Sequence, residues 1–279
     1  MTVPVALTIA GSDPSGGAGV QADLKTFSAL GVYGTAVLTA LTAQNTQGVT
    51  GVHLVPPSFV GEQLETLVAD VRVDGIKIGM LATAELAEAV AAFLVAHPGD
   101  VVVLDPVMVA TSGDPLLADA AVAAVRRMLP LASLITPNLP EAATLLGEDV
   151  VDDVAAMRTQ ARRLLDAGAQ RVLLKGGHLR GPAVDVLAGP EGVHELTGPR
   201  LDVMCTHGTG CSLSSAVTAL QLAHGDWVRA SREAKEWLTG ALAAGETLGV
   251  GSGHGPVHHF HRWWPATAVA PVREGLSRG

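Results

Sequence analysis

The sequence predicts an α/β fold, a mainly parallel central sheet with helices on both faces. Short aliphatic strands alternate with amphipathic helices along nearly the whole chain. The strands are near-continuous apolar runs, as required where a sheet is covered on both sides. Polar and glycine-rich residues follow directly after the strands, where open parallel sheets bind ligands.

The elements follow in order. Val3–Ala10 reads as a buried strand, Gly11–Gly19 as a glycine-rich loop. Ala18–Leu30 reads as a helix with Val20, Leu24, Phe27 and Leu30 on one face. Thr35–Ala43 is a second strand. Ser58 is placed to cap a helix running to Val71, because its hydroxyl can accept a free first-turn N–H. Strands are expected at Ile76–Met80, Val101–Leu104, Ser133–Thr136 and Arg171–Leu174. Between them fall helices at Ala84–Ala96, Leu117–Leu129, Pro140–Leu146 and Val154–Ala167. Ala183–Ala188 and Val193–Leu196 pair across a turn at Gly189–Gly192, and helices follow at Gly210–Ala223 and Ser231–Leu248. No composition break divides the chain, so one domain over 1–265 is expected, with a short, polar, loose tail at 266–279.

Composition narrows the function classes. For 279 residues, surface scaling allows about 70% of the unfolded surface to be buried. Hydrophobic residues are 48% and charged residues 16%, which excludes a disordered chain. Aromatics are 3%, so the core is aliphatic. A net charge of -9 without a Lys/Arg block argues against a nucleic-acid partner. The two cysteines, Cys205 and Cys211, make no disulfide scaffold in a chain this long; reduced thiols in a cytoplasmic protein are the simplest expectation. Met1 to Gly11 holds no Lys or Arg, unlike a secretory signal, and no apolar run reaches 18 residues, so no membrane partner is expected.

Three constellations carry chemistry. Gly17, Gly19 and Ala22 fit a dinucleotide-type loop, but no Asp or Glu occurs between Asp23 and Glu62 to hold a ribose, and no P-loop motif occurs anywhere. A flexible turn explains the glycines and leaves Asp13 and Asp23 unexplained. Thr206-His207-Gly208-Thr209-Gly210-Cys211 enters an apolar helix. Free N–H groups there suit a phosphate, although a helix start capped by Thr209 is the plainer alternative. Cys211, in the first turn, is expected to have a depressed pKa and to serve as base or nucleophile, or else to be a small buried hydrophobe. Asp105, Asn138, Glu141 and Lys175 follow strands: hard oxygen ligands suit Mg²⁺, and Lys suits phosphate. Zinc is disfavoured because no second CxxC pair exists. The histidines at 254, 258, 259 and 261 read as structural or rim residues. The G-x-S-x-G ending at Gly279 has no strand before it, so a hydrolase elbow is dismissed.

These residues resemble a known family. ALTIAGSDPSGGAGVQADLKTFSALGVYG near the start, LTAQNT at 41–46, IKIGML at 76–81, DPVMVATSG at 105–113, TPNLPEA at 136–142, LLKGGH at 173–178, THGTGC at 206–211 and GPVHHF at 255–260 are similar to hydroxymethylpyrimidine/phosphomethylpyrimidine kinases of the ribokinase-like superfamily. The resemblance covers about 4–265; the opening segment and THGTGC together are specific, whereas GTG alone is not. It implies a ribokinase-like three-layer α/β/α fold, a homodimer and two ATP-dependent phosphorylations in thiamine biosynthesis. The first makes the monophosphate of 4-amino-5-hydroxymethyl-2-methylpyrimidine, and the second makes its diphosphate. It implies pyrimidine contacts at Gln44, Gly11, Ala18, Asp23, Met80 and Val107. Gln44 offers donor and acceptor to an aminopyrimidine edge. ATP would meet Lys175, Asn138 and Thr209; Mg²⁺ would meet Asp105 and Glu141. Gly208, Thr209 and Gly210 would form an anion hole, with Cys211 and Lys175 catalytic. The family pattern carries Asn before THGTGC; Cys205 stands there and puts a polar role at that position in doubt.

Sugar kinases of the superfamily place Asp where Cys211 stands. A carboxylate would repel an already anionic phosphate nucleophile, whereas a thiol can be neutral for the phosphate and partly ionised for the alcohol. Cys211 is therefore expected to be a compromise between two nucleophiles. Ser112–Asp114 and the 176–182 loop are candidate lids that would keep water from the reacting phosphate.

Overall fold

The computed structural model describes residues 2–108, 119–177, 179 and 181–264. The chain runs β1 (Val5–Ala10), α1 (Gly19–Ala29), β2 (Tyr33–Leu38), β3 (Ala40–Asn45), β4 (Gly48–Leu54), α2 (Pro57–Val68), β5 (Gly75–Ile78), α3 (Ala84–Ala96) and β6 (Val102–Leu104). It continues with α4 (Asp119–Met128), β7 (Leu134–Ile135), α5 (Leu139–Leu146), α6 (Val154–Asp166), β8 (Val172–Leu174), β9 (Ala183–Gly189), β10 (Gly192–Gly198), α7 (Thr209–His224) and α8 (Trp227–Ala243). The main sheet has the order β10-β9-β8-β7-β6-β5-β1-β2, and β3-β4 form a separate hairpin. Strands from β8 to β2 in that order pair in parallel, while β9 is antiparallel to both its neighbours.

Period-two alternation turns successive strand residues to the two faces of the sheet, each of which carries a core. Leu7, Ile9, Ile76, Ile78, Val102, Leu104, Val172, Leu174 and Val186 face one core, together with residues of α2 to α6. Val103, Leu134, Leu173 and Leu187 face the other, built with α7 and α8 around Trp237. This is the three-layer arrangement the alternation of elements implied.

Most boundaries fall within a few residues of the sequence reading. The stretch expected as one strand over Thr35–Ala43 is two, broken at Thr39, whose N–H donates to Ala10 O at 3.0 Å and whose hydroxyl donates to Met80 O at 2.8 Å. Beyond that break the chain leaves the sheet and folds back as the β3–β4 hairpin; β4 was not expected. Ser58 makes no cap: α2 starts at Pro57, with Pro56 at the cap position and no side-chain cap bond. The last helix begins earlier, at Trp227, where Asp226 accepts Arg229 N–H at 3.0 Å, and ends in a 3-10 turn at Gly245–Leu248. The expected helix start at Leu117, the Ser112–Asp114 lid and the 266–279 tail lie outside the described residues. Among the described residues, no helix is long and apolar enough to cross a membrane.

Candidate active site

A cavity of about 780 Å³ opens at the carboxyl ends of the parallel strands. Gly11 and Ala18 from the loop after β1, Gln44 on β3, Met80 after β5 and Asp105 and Val107 after β6 all border it. So do Asn138 and Glu141 at the start of α5, Lys175 after β8, and Gly208, Thr209, Gly210 and Cys211 at the start of α7. Thirteen of the fourteen residues singled out in the sequence therefore meet around one space.

Three of these residues form a charged cluster. Lys175 Nζ is 2.8 Å from Asp105 Oδ1 and 3.9 Å from Glu141 Oε2. Thr136 also donates to Asp105, at 2.9 Å. Burial works to raise the Asp105 pKa, but Lys175, Lys77 and these hydrogen bonds outweigh it and hold the carboxyl low. Burial pushes Glu141 up to about 7, and the Asp105 charge adds to the push against Lys175. Burial would lower Lys175; the two carboxylates keep it high. Asn138 caps α5 in a reciprocal box: its side chain accepts Glu141 N–H and Glu141 accepts Asn138 N–H, each at 2.8 Å. Both residues thus also serve the helix start.

The start of α7 faces this cluster. Gly208 is its N-cap with φ 76°, and a Cβ there would lie 1.8 Å from Gly17 O, so only glycine fits. A Cβ on Gly210 would sit 3.4 Å from Lys175 Nζ and 3.6 Å from Asp105 Oδ2, in the space between helix start and charges. The alternative in which Thr209 caps the helix is not what forms: Gly208 is the N-cap, and the Thr209 hydroxyl donates back to Thr206 O at 2.6 Å. Cys211 accepts an N–H from Gly19, yet burial, with the charges of Asp23 and Asp105, raises its pKa to about 11 despite Lys77. The expected depressed thiol is overturned; Cys211 is a neutral thiol here, because burial and two nearby carboxylates outweigh the helix end.

Gln44 borders the cavity from a β-bulge of the hairpin, not from after a strand of the main sheet as the sequence suggested. Beside it His207 Nε2 donates to Asp13 Oδ2 at 2.7 Å. Asp13 also accepts N–H groups from Ser15, Gly17 and Ala18. Burial would raise its pKa; the bonds from His207 and Ser15, the His207 charge and the Ala18 N–H bring it down to about 2. Asp13 and His207 border the cavity and were not singled out as site residues in the sequence, although Asp13 was left unexplained there.

Asp23 is the exception and a correction. It is fully buried outside the cavity lining, accepting Lys77 Nζ at 2.9 and 3.0 Å, Thr8 at 2.6 Å and Ser215 at 2.7 Å. Its place on α1 turns it toward β5 and α7, so it makes no substrate contact from there. Lys77, in the middle of the apolar IKIGML run, was the overlooked signal. Burial would lower its pKa, but Asp23, Cys211 and Asp105 raise it.

Of the 176–182 loop, a lid candidate, positions 178 and 180 lie outside the described residues. The Arg200 guanidinium donates to the carbonyls of Gly177 at 2.9 Å and Gly181 at 2.6 Å, and to that of Leu179. Cys205 is not part of the cavity lining; it packs beside Gly245 and Gly255. The His259 and His261 rings pack on Trp237, and that of His258 packs on Trp264.

The fit to a nucleotide and a divalent cation is favourable. Two carboxylates face one ammonium, a surplus of negative oxygen donors suited to Mg²⁺. Glycine at 210 leaves room beside them, under the N–H groups of a helix start suited to phosphate.

Comparison with known proteins agrees with this geometry. Residues 13–258 match the profile of the family described as phosphomethylpyrimidine kinase. The chain is 56% identical over 261 residues to the hydroxymethylpyrimidine/phosphomethylpyrimidine kinase of Escherichia coli, covering 93% of this chain and 98% of that one. It is 51% identical over 257 residues to a thiamine biosynthesis bifunctional protein of Geobacter sulfurreducens, covering 91% of this chain and 52% of that one. Among solved structures it resembles an ADP complex of Bacillus subtilis pyridoxal kinase, with a TM-score of 0.85, 38% identity, and 92% and 98% of the two chains covered. With its strand-end carboxylates, a glycine-bordered helix start beside them and this relationship, the chain belongs to the phosphomethylpyrimidine kinase family.

Proposed function

We propose that this cavity transfers phosphoryl groups from ATP, first to the hydroxymethyl oxygen of 4-amino-5-hydroxymethyl-2-methylpyrimidine and then to the resulting monophosphate. The products are the monophosphate and the diphosphate used in thiamine biosynthesis. One observation carries the reading: an amide able to grip an aminopyrimidine and a helix start suited to phosphate border the same cavity.

Each residue then has a task. Gln44 holds the ring edge, while Met80 and Val107 supply apolar walls and Gly11 and Ala18 close the pocket with backbone. Lys175 meets the ATP phosphates, with Asn138 and Thr209 lining the nucleotide side. Asp105 and Glu141 would hold Mg²⁺, which when bound neutralises phosphate charge. N–H groups of Gly208 to Cys211 receive the charge of the migrating group, the largest contribution expected in phosphoryl transfer. Cys211, neutral in the ligand-free site, lets an anionic phosphate nucleophile approach. In the second step that nucleophile is already ionised, with a second pKa near 6, and needs no base. We further propose one kinase domain over 1–265, a cytoplasmic location and a homodimer, with small molecules and neither nucleic acid nor membrane as partners.

The similarity to pyridoxal kinase structures gives a second reading, in which pyridoxal is the alcohol acceptor. ADP release with each alcohol at equal concentration decides between them. The aminopyrimidine alcohol is expected to have the higher kcat/KM; a higher value for pyridoxal would reverse the assignment.

A further inference from the structure

The hydrogen-bond partners of Gln44 have a consequence for specificity. A neutral amide has two N–H donors and two acceptor lone pairs, and a half-turn of its terminal torsion interchanges the two ends. One end of the Gln44 amide lies 3.3 Å from Thr42 Oγ1, and the other lies 3.4 Å from His207 Nε2. The protons on those neighbours are accounted for. Thr42 has one hydroxyl proton and directs it to Ser12 O at 2.8 Å, so toward Gln44 it can only accept. His207 Nε2 sits 2.7 Å from Asp13, whose carboxylate already takes backbone N–H groups from Ser15, Gly17 and Ala18. A lone pair at Nε2 would face that anion, so Nε2 carries its one proton, gives it to Asp13, and has no lone pair left to accept an N–H of Gln44. Both neighbours therefore select one amide orientation, NH₂ toward Thr42 and oxygen toward His207.

One N–H is used in this way, and the second N–H and the amide oxygen remain for a ligand. We propose that Thr42 and the Asp13–His207 pair are specificity-determining positioning residues. They lock the polarity with which Gln44 reads the ring, so that the site accepts an adjacent donor–acceptor edge in one sense and rejects the inverted edge. The proposal rests on the aminopyrimidine reading of the cavity and deepens it. An aminopyrimidine presents an amino donor beside a ring-nitrogen acceptor. Its 4-oxo analogue presents the inverse, a carbonyl acceptor beside a ring N–H donor. Freed to turn, the same amide would serve either.

The test is the ratio of kcat/KM for the 4-amino alcohol to that for its 4-oxo analogue. Thr42→Val removes the acceptor; Thr42→Ser keeps it. Thr42→Val is expected to reduce the ratio at least tenfold, with Thr42→Ser close to the parent. Thr42→Ala removes the same acceptor with a smaller side chain and is expected to reduce the ratio likewise, which keeps the test alive if Thr42→Val fails to fold. General damage to the site lowers both rates and leaves the ratio in place. An unchanged ratio in a folded Thr42→Val or Thr42→Ala protein overturns the proposal. A parent protein inactive on the 4-amino alcohol would instead overturn the aminopyrimidine reading itself.

Discussion

Lys77 and Lys175 are both buried lysines joined to an aspartate, and they sit in opposite situations. The Lys77–Asp23 pair is completely enclosed, with both side chains at 0% exposure. One cation meets one anion, and Thr8 and Ser215 occupy further Asp23 sites. Lys175 is 15% exposed and faces the cavity, where one cation meets two carboxylates, Asp105 and Glu141. The enclosed pair is internally neutral and asks for nothing more. The open cluster carries surplus negative charge in a space large enough for a ligand. A buried charge points to ligand chemistry when its neighbours fail to neutralise it; burial alone does not distinguish the two.

The most severe way to break this contrast is to remove one partner of the enclosed pair. Lys77→Met leaves Asp23 buried and uncompensated, and should cost about 3–5 kcal/mol of unfolding free energy in a denaturant titration. An unchanged midpoint would show that the pair is not a structural keystone. Lys175→Met should do the converse, with stability held within about 1 kcal/mol and kcat/KM for the alcohol reduced by roughly 10²–10³-fold, the magnitude for one preorganised donor. If both variants lose stability and retain rate, the distinction between the clusters fails.

Cys211 lies between the two regions, feeling Lys77 on one side and Asp105 on the other. Cys211→Asp would add an anion where the phosphate nucleophile arrives. Monophosphate kinase activity is expected to fall roughly tenfold further than alcohol kinase activity, equivalent to about 1.4 kcal/mol of repulsion. Equal losses would remove the idea that a neutral group is required there.

How much of this was legible in the sequence depended on the kind of information needed. Strand ends after Ile78, Leu104 and Leu174 were visible as apolar runs, so Met80, Asp105 and Lys175 were placed by topology alone. The Lys77–Asp23 pairing was not, because it joins residues 54 positions apart across layers. Loop logic drew Asp23 toward the ligand with its neighbouring glycines, although helical rotation points it inward. The hairpin partner of Gln44 was hidden because Gly48–Leu54 carries glycines and is half exposed, with no apolar alternation to follow. For Cys211, sequence showed the helix start that favours thiolate, but not the burial and carboxylates that win.

A smaller effect probes a second enclosed polar contact, at the first turn of α7. His259 is buried with Nε2 3.0 Å from Ser212 Oγ, and burial, followed by the charges of Lys25 and His258, lowers its pKa from 6.5 to about 3. The unfolded chain therefore binds the extra proton between those values, and the folded chain does not. This contribution to stability is intact above about pH 6.5 and declines as pH falls toward 3, by at most about 1.4 kcal/mol per pH unit. Urea titrations at pH 6.5 and 5.5 should show that decline in the parent and a flatter response in His259→Asn. Equal slopes would mean that His259 protonates freely in the folded protein.

The central claim is that one cavity performs both transfers. Initial rates of alcohol phosphorylation with the monophosphate added as inhibitor address it directly. Competitive inhibition is expected, with an inhibition constant equal to the KM of the monophosphate as a substrate, and prolonged reaction should release two ADP per pyrimidine. Noncompetitive inhibition, or release stopping at one ADP, would contradict a single cavity serving both steps.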